Sequence, residues 1–521
     1  MLRFGVDVGG TNTDAVASDG ETVRARVKHP TSNDVLSGVV EALRSLVSAV
    51  GSSDVDSVVV GTTQFLNAIV QARDLTPVVA IRLATLPAPL DPMTDWPDRL
   101  RVAVAGGVHV CAGGHQYTGE PIDALDEAGV ARVARSARQH GQNNFMVSAV
   151  FSPVNPDGER RAQKVITAVH PEARVTLSHD IGRIGILERE NAAILNAALR
   201  PLAGRVIDGL EAALEEAGIA APLYLSQNDG TIVNLDIARD YPIFTVASGP
   251  TNSMRGAAVE SGQSNCIVID VGGTTTDVGL LQDGFPREST VAIELGGVRT
   301  NFRMPDVVSL GIGGGSIIGS TGSQVVVGPD SVGNELLEKA IVFGGDTPTF
   351  TDAAVAAGLA QIGDPERARK LGPDVVDGAI DYVRGALAAA IDRVSVDGTP
   401  VPIVAVGGGA VLLGGSLPGH SELVCPRDAA VANAIGAARA SIGGTVDRVF
   451  ALGPQSRAAA LAAARAEACA RAVRAGAVEA SIRVVDEDDV PLTHLPDGTA
   501  TRVRVRVVGD LPGMEMTRAH A

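Results

Sequence analysis

The chain is predicted to be an α/β protein made of two duplicated lobes, with a small α+β appendage at its C-terminal end. Three observations carry this expectation. The glycine-rich segment Val6-Asp7-Val8-Gly9-Gly10-Thr11-Asn12-Thr13-Asp14 returns at mid-chain as Ile269-Asp270-Val271-Gly272-Gly273-Thr274-Thr275-Thr276-Asp277, and the copies differ only at Val6/Ile269 and Asn12/Thr275. A third glycine-rich turn, Gly407-Gly408-Gly409, follows the apolar run Val404-Ala405-Val406. After about Gln455 the texture changes to an Ala/Arg-rich stretch and two alternating segments.

Each repeated segment lies between short apolar runs, Leu2 to Val6 and Ala15 to Ala17 in the first copy, Cys266 to Ile269 and Val278 to Leu281 in the second. That is the pattern of a β-hairpin with a tight turn. Glycines let backbone amides approach a phosphate closely, threonine hydroxyls add donors, and a strand-end aspartate can hold a cation. Two such hairpins imply two lobes gripping one nucleotide. The phosphate-binding candidates are Gly9, Gly10, Thr11, Asn12 and Thr13, with Gly272, Gly273, Thr274 and Thr275. Adenosine needs a flat pocket free of bulky side chains, which the turn Gly407, Gly408, Gly409 supplies.

Between these landmarks a helix is expected from about Asn33 to Val50, capped by Ser32 or Asn33. A buried strand at Ser57 to Val60 runs into Gly61-Thr62-Thr63-Gln64-Phe65-Leu66-Asn67, a strand-to-helix junction of the kind that presents ligand contacts in α/β sheets. Residues 86–99, rich in Pro and Asp, read as an irregular connection. Strands and helices alternate from Val102 to His170, with a buried strand at Phe145 to Phe151. The helical stretch Ser178 to Leu202 carries Arg189 and Glu190, which read as a solvated face. A strand at Leu223 to Ser226 precedes the loop Gln227 to Gly230, and Ser248-Gly249-Pro250 opens an alanine-rich helix before the second hairpin. A long helix to about Ala475 and strands at Ala480 to Asp486 and Thr501 to Val508 complete the chain. The expected divisions are 1–177, 178–455 and 456–521.

With 521 residues, 45% hydrophobic and 20% charged, the chain exceeds one ordinary core and has the composition of a folded soluble protein. A formal charge of −17 argues against general binding to nucleic acid or anionic membranes. No signal-peptide pattern and no apolar run long enough to span a bilayer stand out, so a cytoplasmic location is expected. The four cysteines show no paired spacing, consistent with a reducing compartment. Aromatics make up only 3%, so small aliphatic side chains and close backbone packing must build the core.

His109, Cys111 and His115 form a His-x-Cys-x-x-x-His cluster whose donors suit Zn²⁺. It supplies only three local ligands, and a pocket-lining loop is the preferred reading over a metal site. His179-Asp180 reads as a surface pair. Gly-x-Ser-x-Gly, HEXXH, Rossmann and Walker patterns are missing, which disfavours the enzymes built on them.

The order of two phosphate loops, a glycine-rich strand end and the small-residue segment Ala432-Asn433-Ala434-Ile435-Gly436-Ala437-Ala438 resembles the actin, Hsp70 and sugar-kinase superfamily, whose lobes are ribonuclease-H-like. Within it, Gly61-Thr62-Thr63 with Asn67, Glu188-Arg189-Glu190-Asn191, Ser248-Gly249-Pro250, Gly313-Gly314-Gly315-Ser316, Val327-Gly328-Pro329-Asp330-Ser331 and Pro348-Thr349-Phe350-Thr351-Asp352 resemble the A subunit of the hydantoinase/oxoprolinase family, in a compact form. The sequence departs from that pattern at Gln64-Phe65-Leu66 and at Phe350.

The resemblance implies ATP-dependent activation of a cyclic amide such as a hydantoin, lactam or 5-oxoproline. Asp7 and Asp270 would hold Mg²⁺, with the loop amides and Thr11, Thr13, Thr274 and Thr275 on the phosphates. Asp14 and Asp277 would orient the loops or assist proton transfer, or merely close the turns. Thr62, Thr63, Asn67 and the turn Gly313, Gly314, Gly315, Ser316 are the substrate candidates, approaching from opposite sides of the cleft. A separate hydantoinase B-type subunit would complete the reaction, in an oligomer. A kinase or carboxylase subunit of the same superfamily, and a non-catalytic ATPase that remodels a partner protein, are the alternatives.

Overall fold

The computed structural model describes residues 2–512 apart from Thr11, Glu21, 31–34, Ser53, Ser323, 396–400, Ser416, 418–422, 453–455 and 493–499. Thr11 and the expected cap at Ser32 or Asn33 therefore lie outside the described residues.

The N-terminal hairpin forms as its alternation requires. Strands β1 (Leu2–Val8) and β2 (Asn12–Ser18) pair antiparallel, and β3 (Val23–Pro30) extends the meander. Strand β4 (Val55–Thr62) runs parallel to β1 after the crossover helix Val35–Val50. A second, four-stranded parallel sheet follows, built from β5 (Val78–Leu83), β6 (Ala105–Cys111), β7 (Asn144–Ala149) and β8 (Arg174–Leu177) in the order β6-β5-β7-β8. The 31-residue helix Ile186–Glu216 then leads to β9 (Leu223–Ser226) and β10 (Ile232–Asn234), which return to the first sheet beside β4.

The second glycine hairpin, β11 (Cys266–Val271) and β12 (Thr276–Gln282), anchors a separate six-stranded sheet, where β11 runs parallel to Ile403–Val406. Behind it pack the helices Phe350–Ala356 and Pro373–Val394.

The C-terminal strands are not set apart as an appendage. Ile442–Ala451, Ala500–Gly509 and Arg483–Pro491 pair in succession and extend the first sheet to nine strands, with the helix Arg457–Arg474 laid across them through Ala460, Ala464, Ala468 and Ala472. Strands from all three segments, 1–177, 178–455 and 456–521, therefore meet in one sheet. The strand Ile442–Ala451 makes the join: it pairs with Ala500–Gly509 along its whole length and meets β10 at Ile442.

The stretch expected to be a solvated face is the reverse. Arg189 and Glu190 are fully buried at the start of the Ile186–Glu216 helix. Glu190 takes a two-pronged ion pair from Arg82 (2.6 and 2.9 Å) and a hydroxyl bond from Ser148 (2.6 Å), while Arg189 donates to Ser178 Oγ and to the carbonyls of Ala149, Arg183 and Ile184. A buried charge is tolerated only when every arm is satisfied, and these bonds fasten the four-stranded sheet to the long helix. No helix among the described residues is long and apolar enough to cross a membrane.

The two main sheets meet through a pair of short helices. Ser248–Ser261 lies on the second sheet, where Met254 and Ala257 pack with Val268 and Val404. Ala432–Arg439 lies on the first, where Ala434 and Ala438 pack with Val16. Their backbones touch at glycine. A Cβ on Gly436 would stand 1.9 Å from Asn252 O, one on Gly256 would stand 1.8 Å from Ala432 O, and one on Gly5 in β1 would meet Ala434 O at 2.1 Å. Because those obstacles are backbone atoms, Gly436→Val should destabilise the chain by on the order of 3 kcal/mol, measured by denaturant unfolding. An unfolding midpoint equal to wild type would refute this close packing.

Candidate functional site

Both glycine turns close in the same way. Gly9 N donates to Asn12 O (3.0 Å) and Gly272 N to Thr275 O (2.9 Å). In the ladders Asp7 stands opposite Asp14, and Asp270 opposite Asp277. The parallel neighbour of each hairpin ends in a glycine that makes room for the carboxylate. A Cβ on Gly61 would fall 2.4 Å from Asp7 Oδ1, and one on Gly407 2.3 Å from Asp270 Oδ1. Gly407 also takes a left-handed conformation, φ +86°, open chiefly to glycine.

The hairpins face one another across a cavity of about 490 Å³. Asp7, Gly9, Gly10, Asn12 and Asp14 line one side, Asp270, Gly272, Gly273, Thr274, Thr275 and Asp277 the other, and Gly407, Gly408 and Gly409 a third. Leu336, Leu337, Phe343, Ile362 and Leu412 add an apolar end. The volume is in the range of small-molecule and cofactor sites. Thr13 is wholly buried and absent from this lining.

One helix touches both hairpins. Asn252 Nδ2 donates to Asp7 Oδ1 (3.0 Å), and the next residue, Ser253, bonds to Asp270. From the facing helix, Asn433 Nδ2 bridges Asp7 Oδ2 (3.0 Å) and Asp14 Oδ2 (2.9 Å). Lys28, directly across the ladder from Asp14, donates to its Oδ1 at 2.7 Å, and Ser309 donates to Asp277. Sequence reasoning passed over Lys28, Asn252, Ser253, Ser309 and Asn433. Only Asn433 stood inside a quoted motif. Lys28 shows a faint signal, as the last of three cations at alternate positions (Arg24, Arg26, Lys28) in β3.

Burial pushes the Asp7 carboxyl up to about 6, against the pull of Asn252, and the Asp14 charge adds to it. Burial pushes Asp270 up to about 7 despite its bond to Ser253, with repulsion from Asp277, Asp7 and Asp14 in the same direction. Asp277 is also raised by burial. Lys28 offsets this only in part at Asp7, and a divalent cation would suit the cluster. Among the described residues no group of three or more His, Cys, Asp or Glu could hold a metal by itself.

The expected substrate residues scatter. Thr63 and Gly314 line the cavity, and Thr63 Oγ1 donates to Val8 O (3.3 Å). Thr62 is buried, its amide on Ser248 Oγ and its hydroxyl capping Gln64 N. Asn67 is exposed on the Gln64–Gln71 helix and lies outside this lining. Gly314 N and Gly315 N donate to Gly272 O (3.0 Å) and Gly273 O (2.7 Å), and Ser316 Oγ accepts from Gly313 N (2.8 Å). This loop supports the second hairpin rather than facing it.

The zinc cluster does not form. His109, Cys111 and His115 make no ligand group among the described residues. Cys111 pairs with Leu83 and points into the apolar core with Val130 and Leu177, where burial raises its thiol. His179 is likewise no surface residue. Its side chain is 9% exposed, and Nδ1 lies 2.6 Å from the buried Glu159.

Residues 3–170 match the hydantoinase/oxoprolinase N-terminal region, and residues 189–364 match the hydantoinase/oxoprolinase model. The chain belongs to the hydantoinase/oxoprolinase family. Among curated relatives it is 29% identical over 332 residues to caprolactamase subunit alpha of Pseudomonas jessenii, covering 61% of this chain and 46% of that protein. It is 30% identical over 252 residues to acetophenone carboxylase gamma subunit of Aromatoleum aromaticum, covering 46% and 34%. The matches thus span less than half the length of those relatives. Two solved structures share the fold: the ATP-dependent caprolactamase from Pseudomonas jessenii (TM-score 0.75, 21% identity) and a nucleotide-free acetone carboxylase (TM-score 0.67, 18% identity), each covering 98% of this chain and 88% of the other.

Asp7 and Asp270 titrate higher in the folded chain than in the unfolded one, so folding takes up protons and their contribution to stability falls as pH rises from about 4 to about 7. Asp270→Asn, which carries no charge, should raise the melting temperature of the ligand-free protein, with a gain over wild type that grows from about pH 5 to about pH 8. A gain independent of pH would contradict the raised carboxyl. Added Mg²⁺ should shrink it at the upper pH.

Proposed function

We propose that the chain is the ATP-using subunit of a hydrolase that activates a cyclic amide, of hydantoin, lactam or 5-oxoproline type, by phosphorylating its carbonyl oxygen before ring opening. One observation carries the reading: four aspartates, two glycine turns and the start of the Ser248–Ser261 helix enclose a single cavity. Amides at turns and at a helix start favour phosphate, and the aspartates suit its cation. In this reading the two hairpin sheets are duplicated ribonuclease-H-like lobes. The relatives named as an ATP-dependent caprolactamase and as ketone carboxylases support an ATP-dependent cyclic-amide or carboxylase-type role.

A ring amide resists water because nitrogen donates into its carbonyl. Attack of the amide oxygen on the γ-phosphorus forms an O–P bond and breaks the bridging bond to the β-phosphate, releasing ADP. The carbon then carries a phosphate leaving group, and water can add to it with later loss of inorganic phosphate. Phosphoryl transfer requires positioning and charge neutralisation above all. Asp7 and Asp270 would hold Mg²⁺, which neutralises charge on the phosphates when bound. The turn amides, with Thr274 and Thr275, would orient the phosphates, and Lys28 would hold the Asp14 side chain in place beside them. Thr63 would meet the ring at the mouth.

Ring opening would fall to a hydantoinase B-type partner subunit, and both relatives carry subunit names. Carboxylation is the second reading, favoured by the acetophenone and acetone carboxylase names. A partner-remodelling ATPase is the third reading; the strands Arg483–Pro491 and Ala500–Gly509 belong to the main sheet.

Turnover of ATP by the full chain, screened with hydantoins, lactams and 5-oxoproline with and without the second subunit, tests the proposal. Asp270→Asn should lower kcat by about a hundredfold or more. Thr63→Val should weaken stimulation by the ring compound while leaving nucleotide affinity within about threefold. ATP turnover indifferent to every cyclic amide, with or without the partner, would discard the cyclic-amide reading.

A further inference from the structure

Strand β8 is the last of the four-stranded sheet and pairs with β7 on one side only. Both its faces are covered. Val175 and Leu177 pack with Ala162 and Ile166 of the Asp157–Val169 helix, and Thr176 Oγ1 accepts from Asn196 Nδ2 of the Ile186–Glu216 helix (3.5 Å). The outer edge is open. Residues 173–177 line a groove of about 880 Å³, with the Asp157–Val169 helix and Arg200, Asp240 and Tyr241 around it.

The direction of the main chain is fixed by one bond. Arg174 N donates to Asn143 O, toward β7 (2.7 Å). Successive residues of a strand turn their main-chain groups to opposite edges, so the N–H and C=O groups of Val175 and Leu177 face the groove. They stand in a row, spaced as in the ladder that β8 already makes with β7. An open row of this kind is a template for another strand.

The charges around the groove say which strand. Five lysines and arginines and three aspartates line it, in a chain of net charge −17. Arg161 is taken by Glu127 (2.6 Å) and Arg200 by Asp240, while Asp180 lies against His179 and Tyr241. Arg160, Lys164 and Arg174 are exposed and make no ion pair or side-chain hydrogen bond among the described residues. Arg160 and Lys164 stand one turn apart on the same helix face, and Arg174 opens β8 itself. Three uncommitted cations thus face one uncommitted carboxylate, Asp157. A cationic edge repels its own copy and attracts an acidic strand.

We propose that the β8 edge docks an extended, acidic segment of a partner polypeptide, which adds a strand to the four-stranded sheet and sets its carboxylates against Arg160, Lys164 and Arg174. Main-chain bonds to Val175 and Leu177 supply the grip, and the cations select the partner's charge. The groove shares no lining residue with the aspartate cleft, so the proposal stands whether or not that cleft binds ATP.

Fluorescence anisotropy of the full chain with a labelled peptide of alternating glutamate and threonine tests it. The peptide should bind, with an affinity that falls as salt is raised. Lys164→Glu, at an exposed position where folding is little disturbed, should weaken binding by about tenfold. Lys339→Glu, an equal reversal outside the groove, should change it by less than about twofold. The same peptide N-methylated on every amide keeps its charge but loses its main-chain donors, and it should not bind. No binding of the parent peptide at low salt, equal binding of the methylated one, or equal loss in both variants would overturn the proposal. Tighter binding of a single-stranded oligonucleotide of the same charge would overturn it too, assigning the groove to nucleic acid.

Discussion

The contact between the backbones of the Ser248–Ser261 and Ala432–Arg439 helices is the constraint on which the rest of the molecule depends. Each helix covers one main sheet, and glycines at 256 and 436 let them approach until main-chain atoms touch. With β-carbons at those positions the sheets would stand apart. Asn252 and Asn433 could then no longer reach the same Asp7. The composition shows the same economy: with aromatics at 3%, the core closes through small side chains rather than rings.

That closeness sets the electrostatics of the cleft. Four carboxylates gather where amide side chains, one lysine and turn amides are the main donors, and burial raises Asp7 and Asp270 toward neutral pH. Left alone, such a cluster costs stability, the usual condition of a site arranged for a ligand carrying the opposite charge. Elsewhere buried ions are compensated internally. Glu190 is clasped by Arg82, and Glu159 lies well below the ordinary carboxylate range, at about 2, because His179 and Arg189 outweigh its burial. These pairs hold the four-stranded sheet to the long helix.

Much of the site was legible in local sequence. Matching hairpins announced themselves by glycine and aspartate spacing, because a turn and its flanking strands are determined by neighbours a few residues apart. The strands at Leu223–Ser226 and Ile403–Val406 were readable for a similar reason, as short apolar runs bounded by turns. Residues that complete the site were harder to see. Asn252, Ser253 and Asn433 sit in small-residue helices and matter only because those helices cross. Glu190 read as surface charge because its partner Arg82 is 108 residues away, and Arg189 because it is held by Ser178 and by backbone carbonyls such as that of Ala149. His109 and Cys111 suggested a metal because proximity along the chain says nothing of which way a strand faces its core.

The sequence by itself determined the two glycine turns, the aspartates beside them and the family, since each is written in contiguous residues. Tertiary structure alone decided that the turns face each other, that the last strands extend the first sheet, and that Arg189 and Glu190 are buried between the four-stranded sheet and the long helix. Each of these depends on side chains brought together from distant segments, where packing and charge compensation, not local propensity, choose the neighbours.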